Sequence, residues 1–203
     1  MSGPRTADPS RDYFHISRVL AYNPHADLVV GVTVEATSNH NPFFGFYENP
    51  RIYPVTTPNE TVQVPAMAFL RMVRDGGVQC SNLPPIAYEI AQHYVMLARE
   101  ILMEQVRKEL DENLPSRQTC LWLCDTEAEA NNWKTRLGQG RIARLRVAGT
   151  IHRADAGHLL SDSEPLRQTY KRATAYWQGE GSDRPEWETL FRGRAEIVEI
   201  LGG

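Results

Sequence analysis

Cysteine is scarce in this chain: Cys80, Cys120 and Cys124 are the only three among 203 residues. So sparse and odd a set is not a disulfide framework, and it points to a reducing compartment. No apolar run approaches the roughly 20 residues that a membrane-spanning helix needs. The opening stretch, MSGPRTADPSRDY, has no apolar segment of the kind a secretory leader carries, so a cytoplasmic location is expected. A large charge of one sign is also missing. The formal net charge is −3, too small for a global field that attracts nucleic acid. Internal repeats and low-complexity tracts are absent. What is present is ordinary for a globular protein with a real core, at 41% hydrophobic and 23% charged residues. A chain of this length is expected to form one domain, with residues 1–11 as a loose polar tail.

The pattern along the chain predicts α+β. Residues 12–17 (DYFHIS) read as a short strand, and short strands are expected near 28–35 and 61–65, with a helix near 66–74. Pro84 and Pro85 precede a strong helix at 86–111. Ile86, Ile90, Tyr94, Leu97 and Ile101, with Ala91, Val95, Ala98 and Leu102, recur on it at helical spacing. Residues 119–124 (TCLWLC) read as a buried strand. A helix at 127–137 follows, with Thr126 and Glu129 as a capping box and Gly138 as its stop. Residues 141–147 alternate as a half-buried strand. Ser163 and Pro165 open a helix that carries Leu166, Tyr170, Ala173 and Trp177 on one face. Two terminal strands, 188–192 and 195–201, are expected to form a hairpin about Gly193.

That hairpin has a carboxylate at its lip. Glu188-Thr189-Leu190-Phe191 opens the first strand, and Ala195-Glu196-Ile197-Val198 falls on the second. Two earlier segments join it. One is Tyr13-Phe14-His15-Ile16-Ser17. The other is Cys120-Leu121-Trp122-Leu123-Cys124-Asp125 with Ala130-Asn131-Asn132-Trp133 after it. In order and local spacing the three resemble the diphtheria-toxin and poly(ADP-ribose) polymerase branch of the ADP-ribosyltransferase superfamily. There, an apolar or aromatic pair precedes His and then Ser or Thr, a Gly-Ile-Tyr-Phe-Ala-Asp strand leads into a helix, and a Glu-Tyr-Ile-Val strand carries the catalytic acid. Both aromatic positions are Trp here where the family usually has Tyr. The gap from His15 to Trp122 is long, so the resemblance makes residues 18–115 a large insertion. Pro115-Ser116-Arg117 and Gly149 to Ala156 resemble stretches of uncharacterised bacterial proteins.

The resemblance implies a split mixed or antiparallel sheet and a cleft for NAD as co-substrate. His15 would bond the adenosine-side ribose, and Ile16 and Ser17 would hold the nicotinamide amide. Trp133 would stack on the nicotinamide ring, with Trp122 on the opposite wall. Glu188 would contact the nicotinamide ribose. The implied activity is transfer of single ADP-ribose units to a macromolecule, protein or nucleic acid, with release of nicotinamide. The alternatives are a non-catalytic module that binds NAD or ADP-ribose, and an RNA 2′-phosphotransferase of the same superfold. The chemistry suits these residue types. Cleaving the nicotinamide–ribose bond builds an oxocarbenium-like cation, which a fixed carboxylate stabilises. A flat aromatic attracts the cationic ring by about 0.5–2 kcal/mol.

Other residues compete for notice. Glu196 rivals Glu188 as the acid. Ser116 and Arg117, just before a strand, suit a phosphate. Lys134, Arg136, Arg141, Arg144, Arg146 and Arg153 form a basic run without an acidic residue, suited to a pyrophosphate or simply a solvated face. His152, Asp155 and His158 have metal-ligand types at a spacing that arises often by chance. Cys120 and Cys124 read as core thiols. The aromatic cluster from Phe43 to Tyr47 reads equally as insertion core or as a lid.

Overall fold

The computed structural model describes residues 3–18, 28–138, 140–159 and 162–201. Its strands are β1 (Arg5–Thr6), β2 (Tyr13–Ser17), β3 (Thr33–Ala36), β4 (Ile52–Thr56), β5 (Thr61–Pro65), β6 (Leu121–Leu123), β7 (Arg141–Asp155) and β8 (Trp187–Leu201). The helices are α1 (Pro42–Glu48), α2 (Ala66–Arg74), α3 (Leu83–Leu110), α4 (Glu127–Leu137) and α5 (Leu166–Gln178). The chain is α+β, and all strand pairs among the described residues are antiparallel.

The spine of the fold is the pair β7 and β8, each 15 residues long. The outer edge of β7 carries β2 along Arg141–Leu145 and β1 along Thr150–Ile151. The outer edge of β8 carries β6 along Thr189–Phe191 and β3 along Gly193–Glu196. Two backbone hydrogen bonds then join Phe14 of β2 to Cys124 just after β6, at 3.0 and 2.7 Å. β2, β7, β8 and β6 therefore close on one another, which hides edges that would otherwise stay unpaired.

Each terminal strand was expected to be short, and the structure corrects this. Residues 141–147 continue to Asp155, and the hairpin expected about Gly193 is one uninterrupted strand paired along β7. Gly149 and Gly193 face each other across the pair, at φ +157° and +146°. A Cβ on Gly193 would lie 2.3 Å from the Ala148 carbonyl oxygen, and one on Gly149 would lie 2.2 Å from that of Arg192. These glycines permit a close approach of the two backbones, which is a different use of the residue from a turn.

The expected tail is also partly ordered. β1 pairs with β7, and the Ala7 amide donates to the Gly149 carbonyl at 2.9 Å.

Three apolar clusters sit around the sheet. Tyr13, Leu123, Leu145, Phe191 and Ile197 form the cluster that the strands enclose. Met103, Val106, Tyr176, Trp177 and Leu190 form the second, where α3 and α5 cover β7 and β8. Cys124, Ala130 and Ile142, with Phe14, Ile16 and Trp133, form the third, under α4. The alternation of strand side chains explains the split. Leu123 and Phe191 enter the first cluster, and their neighbours Trp122 and Leu190 enter the second.

The buried stripe of α3 differs from the one periodicity predicts. Tyr94 and Ile101 are exposed, whereas Ile90, His93, Glu100, Met103, Val106 and Arg107 are buried. Charged partners elsewhere in the fold outweigh the apolar pattern, as the site shows.

Candidate functional site

A cleft of about 360 Å³ opens between the sheet, α4 and α1. That volume lies within the roughly 300–1,000 Å³ typical of small-molecule sites. His15 and Ile16 of β2, Trp122 of β6, Trp133 of α4 and Glu188 of β8 all line it. Five residues singled out in three distant segments are thus brought together. Ser17, at the end of β2 opposite Arg141, is not among the lining residues, nor is Ser116. Glu196 lies on the other half of β8, paired with Thr33 and Arg146, exposed and away from the cleft.

Each lining side chain is held by something specific. The His15 Nδ1 lies 2.8 Å from the Trp122 carbonyl oxygen. A carbonyl only accepts, so Nδ1 carries the proton in this contact. The Trp133 indole N–H donates to the Trp187 carbonyl at 3.0 Å, which leaves the ring to act through its π face. The Arg136 guanidinium lies 4.8 Å from that ring's centre and pairs with Glu186. The face of Trp133 therefore already accepts a cation. Phe43 of α1 meets Trp122 edge-on at 5.5 Å, so the aromatic cluster forms one wall of the cleft. Asn41 caps α1 and donates to the Arg117 and Cys120 carbonyls, tying α1 to the loop before β6. Phe46 and Tyr47 pack on His93 of α3, so the cluster serves as core as well.

Glu188 is buried, at 8% exposure, and sits in a network that the sequence did not disclose. Its Oε1 accepts from Arg117 Nη1 and, at 2.5 Å, from the Tyr176 hydroxyl. Arg117 Nη1 also donates to the Tyr176 oxygen at 2.7 Å. Arg117 Nε donates to Glu100 at 2.9 Å, and Arg99 Nη2 donates to Glu100 at 2.7 Å. Two arginines and two glutamates thus balance in charge. Burial works to raise the Glu100 carboxyl, but the guanidiniums of Arg117 and Arg99 outweigh it and hold the group below its ordinary value. Burial, reinforced by the Glu188 charge, pushes the Tyr176 hydroxyl well above its ordinary value, so it stays a donor.

Arg117 also lines the cleft, at 4% exposure, with its guanidinium held by Glu100, Tyr176 and Glu188. The Ser116 hydroxyl donates to Glu104 at 2.6 Å, and Glu104 also binds Arg107. Arg107 donates in turn to the Glu112 and Leu114 carbonyls, so Ser116 belongs to the support of this loop.

The remaining candidates separate. Of the six basic residues from Lys134 to Arg153, Arg136 lines the cleft. Arg144 pairs with Asp12 and Glu199, and Arg153 with Asp125 and Glu129. His152 stacks on Trp177 in the core, while Asp155 accepts the backbone amides of Gly157, Ser182 and Glu186. Burial pushes the Cys124 thiol up to about 12 and holds the Cys120 thiol well above its ordinary value. Cys124 lines the cleft, yet such a thiol is no nucleophile near neutral pH.

Residues 13–202 match a protein family described as "Protein of unknown function (DUF2441)". The chain belongs to that family. The match runs from β2 to β8 and so takes in all of the cleft. No curated protein matches the sequence of this DUF2441 chain. No helix among the described residues of the DUF2441 chain is long and apolar enough to cross a membrane.

Proposed function

We propose that this protein is an NAD-dependent mono-ADP-ribosyltransferase that acts on a macromolecule and releases nicotinamide. One observation carries the reading: His15, Trp122, Trp133 and Glu188, from four separate elements, line a single cleft. The antiparallel sheet built on β7 and β8 is read as the split sheet of that superfamily.

In this reading the His15 ring hydrogen-bonds a ribose hydroxyl. The nicotinamide ring stacks on Trp133, in place of the Arg136 guanidinium, and Trp122 limits the opposite side. Glu188 takes the hydroxyl of the nicotinamide ribose. Its charge lies close to the carbon that becomes electron-poor as the glycosidic bond breaks. The bonding pair leaves with the nicotinamide nitrogen. An acceptor nucleophile then bonds to that carbon and gives up its proton. Low local dielectric strengthens the carboxylate's effect on the developing cation.

The test is incubation with NAD and chromatographic measurement of free nicotinamide. Glu188→Gln keeps the shape and removes the charge, and is expected to slow release by about a hundredfold or more. Glu196→Gln is expected to match the wild type. Equal release by wild type and Glu188→Gln sinks the assignment of Glu188, and loss in Glu196→Gln alone transfers the role to the rival. A second reading, a module that binds NAD without cleaving it, draws on the pairing of Glu188 with Arg117, which offsets the carboxylate's charge. In that case NAD raises the melting temperature and no variant or wild type releases nicotinamide.

A further inference from the structure

A group of buried ionisable side chains lies behind the cleft. Tyr176 has no exposed surface and Glu100 is 1% exposed, and neither lines the cleft. Both reach it through shared partners. The Tyr176 hydroxyl, the Arg117 Nη1 and the Glu188 Oε1 form a closed triangle of hydrogen bonds. Both donors of that triangle fall on Oε1, and Oε2 takes part in neither bond. The other side of the Arg117 guanidinium is held by Glu100. The frame around them is stiff. Tyr176 packs edge-on against Trp177 at 4.9 Å, and the Trp177 indole donates to the Met103 carbonyl of α3 at 2.7 Å.

We infer that Tyr176 and Glu100 are positioning residues for Glu188, fixing its Oε1 so that Oε2 serves the substrate, and this rests on the NAD-cleaving reading. The two residues do different things. Tyr176 sets the rotamer of the carboxylate with a neutral donor, which orients it without cancelling its charge. Glu100 shares Arg117. A guanidinium devoted to Glu188 alone would offset the charge that the carboxylate must present to the forming oxocarbenium. Divided between two carboxylates, Arg117 holds Glu188 in place and leaves more of its field for the reaction. Such a device acts on the transition state far more than on bound NAD, because the bond it assists is only then developing charge.

The experiment compares steady-state nicotinamide release by wild type, Tyr176→Phe, Glu100→Gln and Glu188→Gln, with melting temperature as a check of folding. Tyr176→Phe removes one oxygen atom and keeps the ring. Its kcat is expected to fall about 10- to 100-fold, the worth of one hydrogen bond to a charged group. KM for NAD should change by less than about threefold, the pattern of an interaction made in the transition state. Glu100→Gln is expected to lower kcat about tenfold with KM likewise kept, and it carries the test if Tyr176→Phe does not fold. A fall in kcat with KM held supports the inference. Wild-type kcat in the folded variants overturns it while the NAD-cleaving reading stands. A rise in KM with kcat unchanged also overturns it, assigning these residues to binding. A wild type that releases no nicotinamide defeats the reading itself and the inference with it.

Discussion

Arg117→Met tests the buried charge network without any appeal to activity. Arg117 is 4% exposed and stands between Glu100, at 1%, and Glu188, at 8%. Methionine roughly keeps the length of the side chain and removes the positive charge. Glu100 then retains Arg99, and Glu188 retains the Tyr176 hydroxyl. Removing one partner of a buried ion pair costs about 3–5 kcal/mol, mostly because the remaining charge is left uncompensated. For a chain of this size that corresponds to a melting temperature lower by about 10 °C. Urea unfolding followed by circular dichroism at pH 7.5 measures the loss. Adding Glu100→Gln to Arg117→Met should recover part of it, because one of the stranded charges goes with it. The pH dependence has a definite sign. In the wild type the Glu100 carboxyl is held below its ordinary 4.5, so its contribution is present above about pH 4.5 and is lost as pH falls through the folded value. Without Arg117 that depression weakens, and protonating Glu100 then relieves the buried charge. The gap between wild type and variant should therefore narrow as pH is lowered toward 4.5. A single variant that loses less than about 1 kcal/mol, or a double variant that loses the sum of both single losses, refutes a coupled buried cluster.

Two further predictions concern the sheet and its core. Gly193→Ala places a Cβ 2.3 Å from the Ala148 oxygen at φ +146°. It should destabilise the fold by at least about 3 kcal/mol in urea, and a loss under about 1 kcal/mol removes the case for a close backbone approach. His152 is buried against Trp177, and burial pushes its pKa down from 6.5 to about 4. The unfolded chain takes up a proton in that window, so stability present above pH 6.5 is lost as pH falls toward 4, on the order of 3 kcal/mol. His152→Phe should flatten the pH dependence between about 4 and 6.5, and an unchanged slope assigns it to other groups.

Local signals made much of the fold legible. Thr126 and Gly138 mark the ends of α4, where Thr126 accepts from Glu129 and Gly138 adopts φ +73°. α2 and β5 fall where the sequence puts them, because short amphipathic segments flanked by turn residues are locally determined. β7 and β8 were read too short, because Gly149 and Gly193 look like breaks when each is seen alone. Only the pairing of one glycine with the other explains both, and pairing is not a local property. The partners of Glu188 were hidden for a similar reason. Arg117 lies 71 residues away in sequence and Tyr176 lies 12 away on another element. One signal was available: His93, Glu100 and Arg107 recur every seven residues on α3, among Ile90, Met103 and Val106. Ionisable groups repeated on one helical face mark a face that meets polar partners, and here it is the buried one.

The long separation of His15 from Trp122 has a structural answer. β2 and the end of β6 are hydrogen-bonded neighbours through Phe14 and Cys124, so residues far apart in sequence meet on adjacent strands. Nor is that chain a detachable excursion. β3 pairs with β8, Phe43 forms a wall of the cleft, and α3 supplies both Glu100 and the carbonyl that holds Trp177. The Glu188 carboxylate is therefore oriented from two directions. β8 delivers it to the cleft, Arg117 and Tyr176 of α5 bond it from behind, and Glu100 of α3 holds Arg117. A segment that looked like an insertion relative to the motifs on either side contributes Glu100, which holds the arginine that bonds the acid.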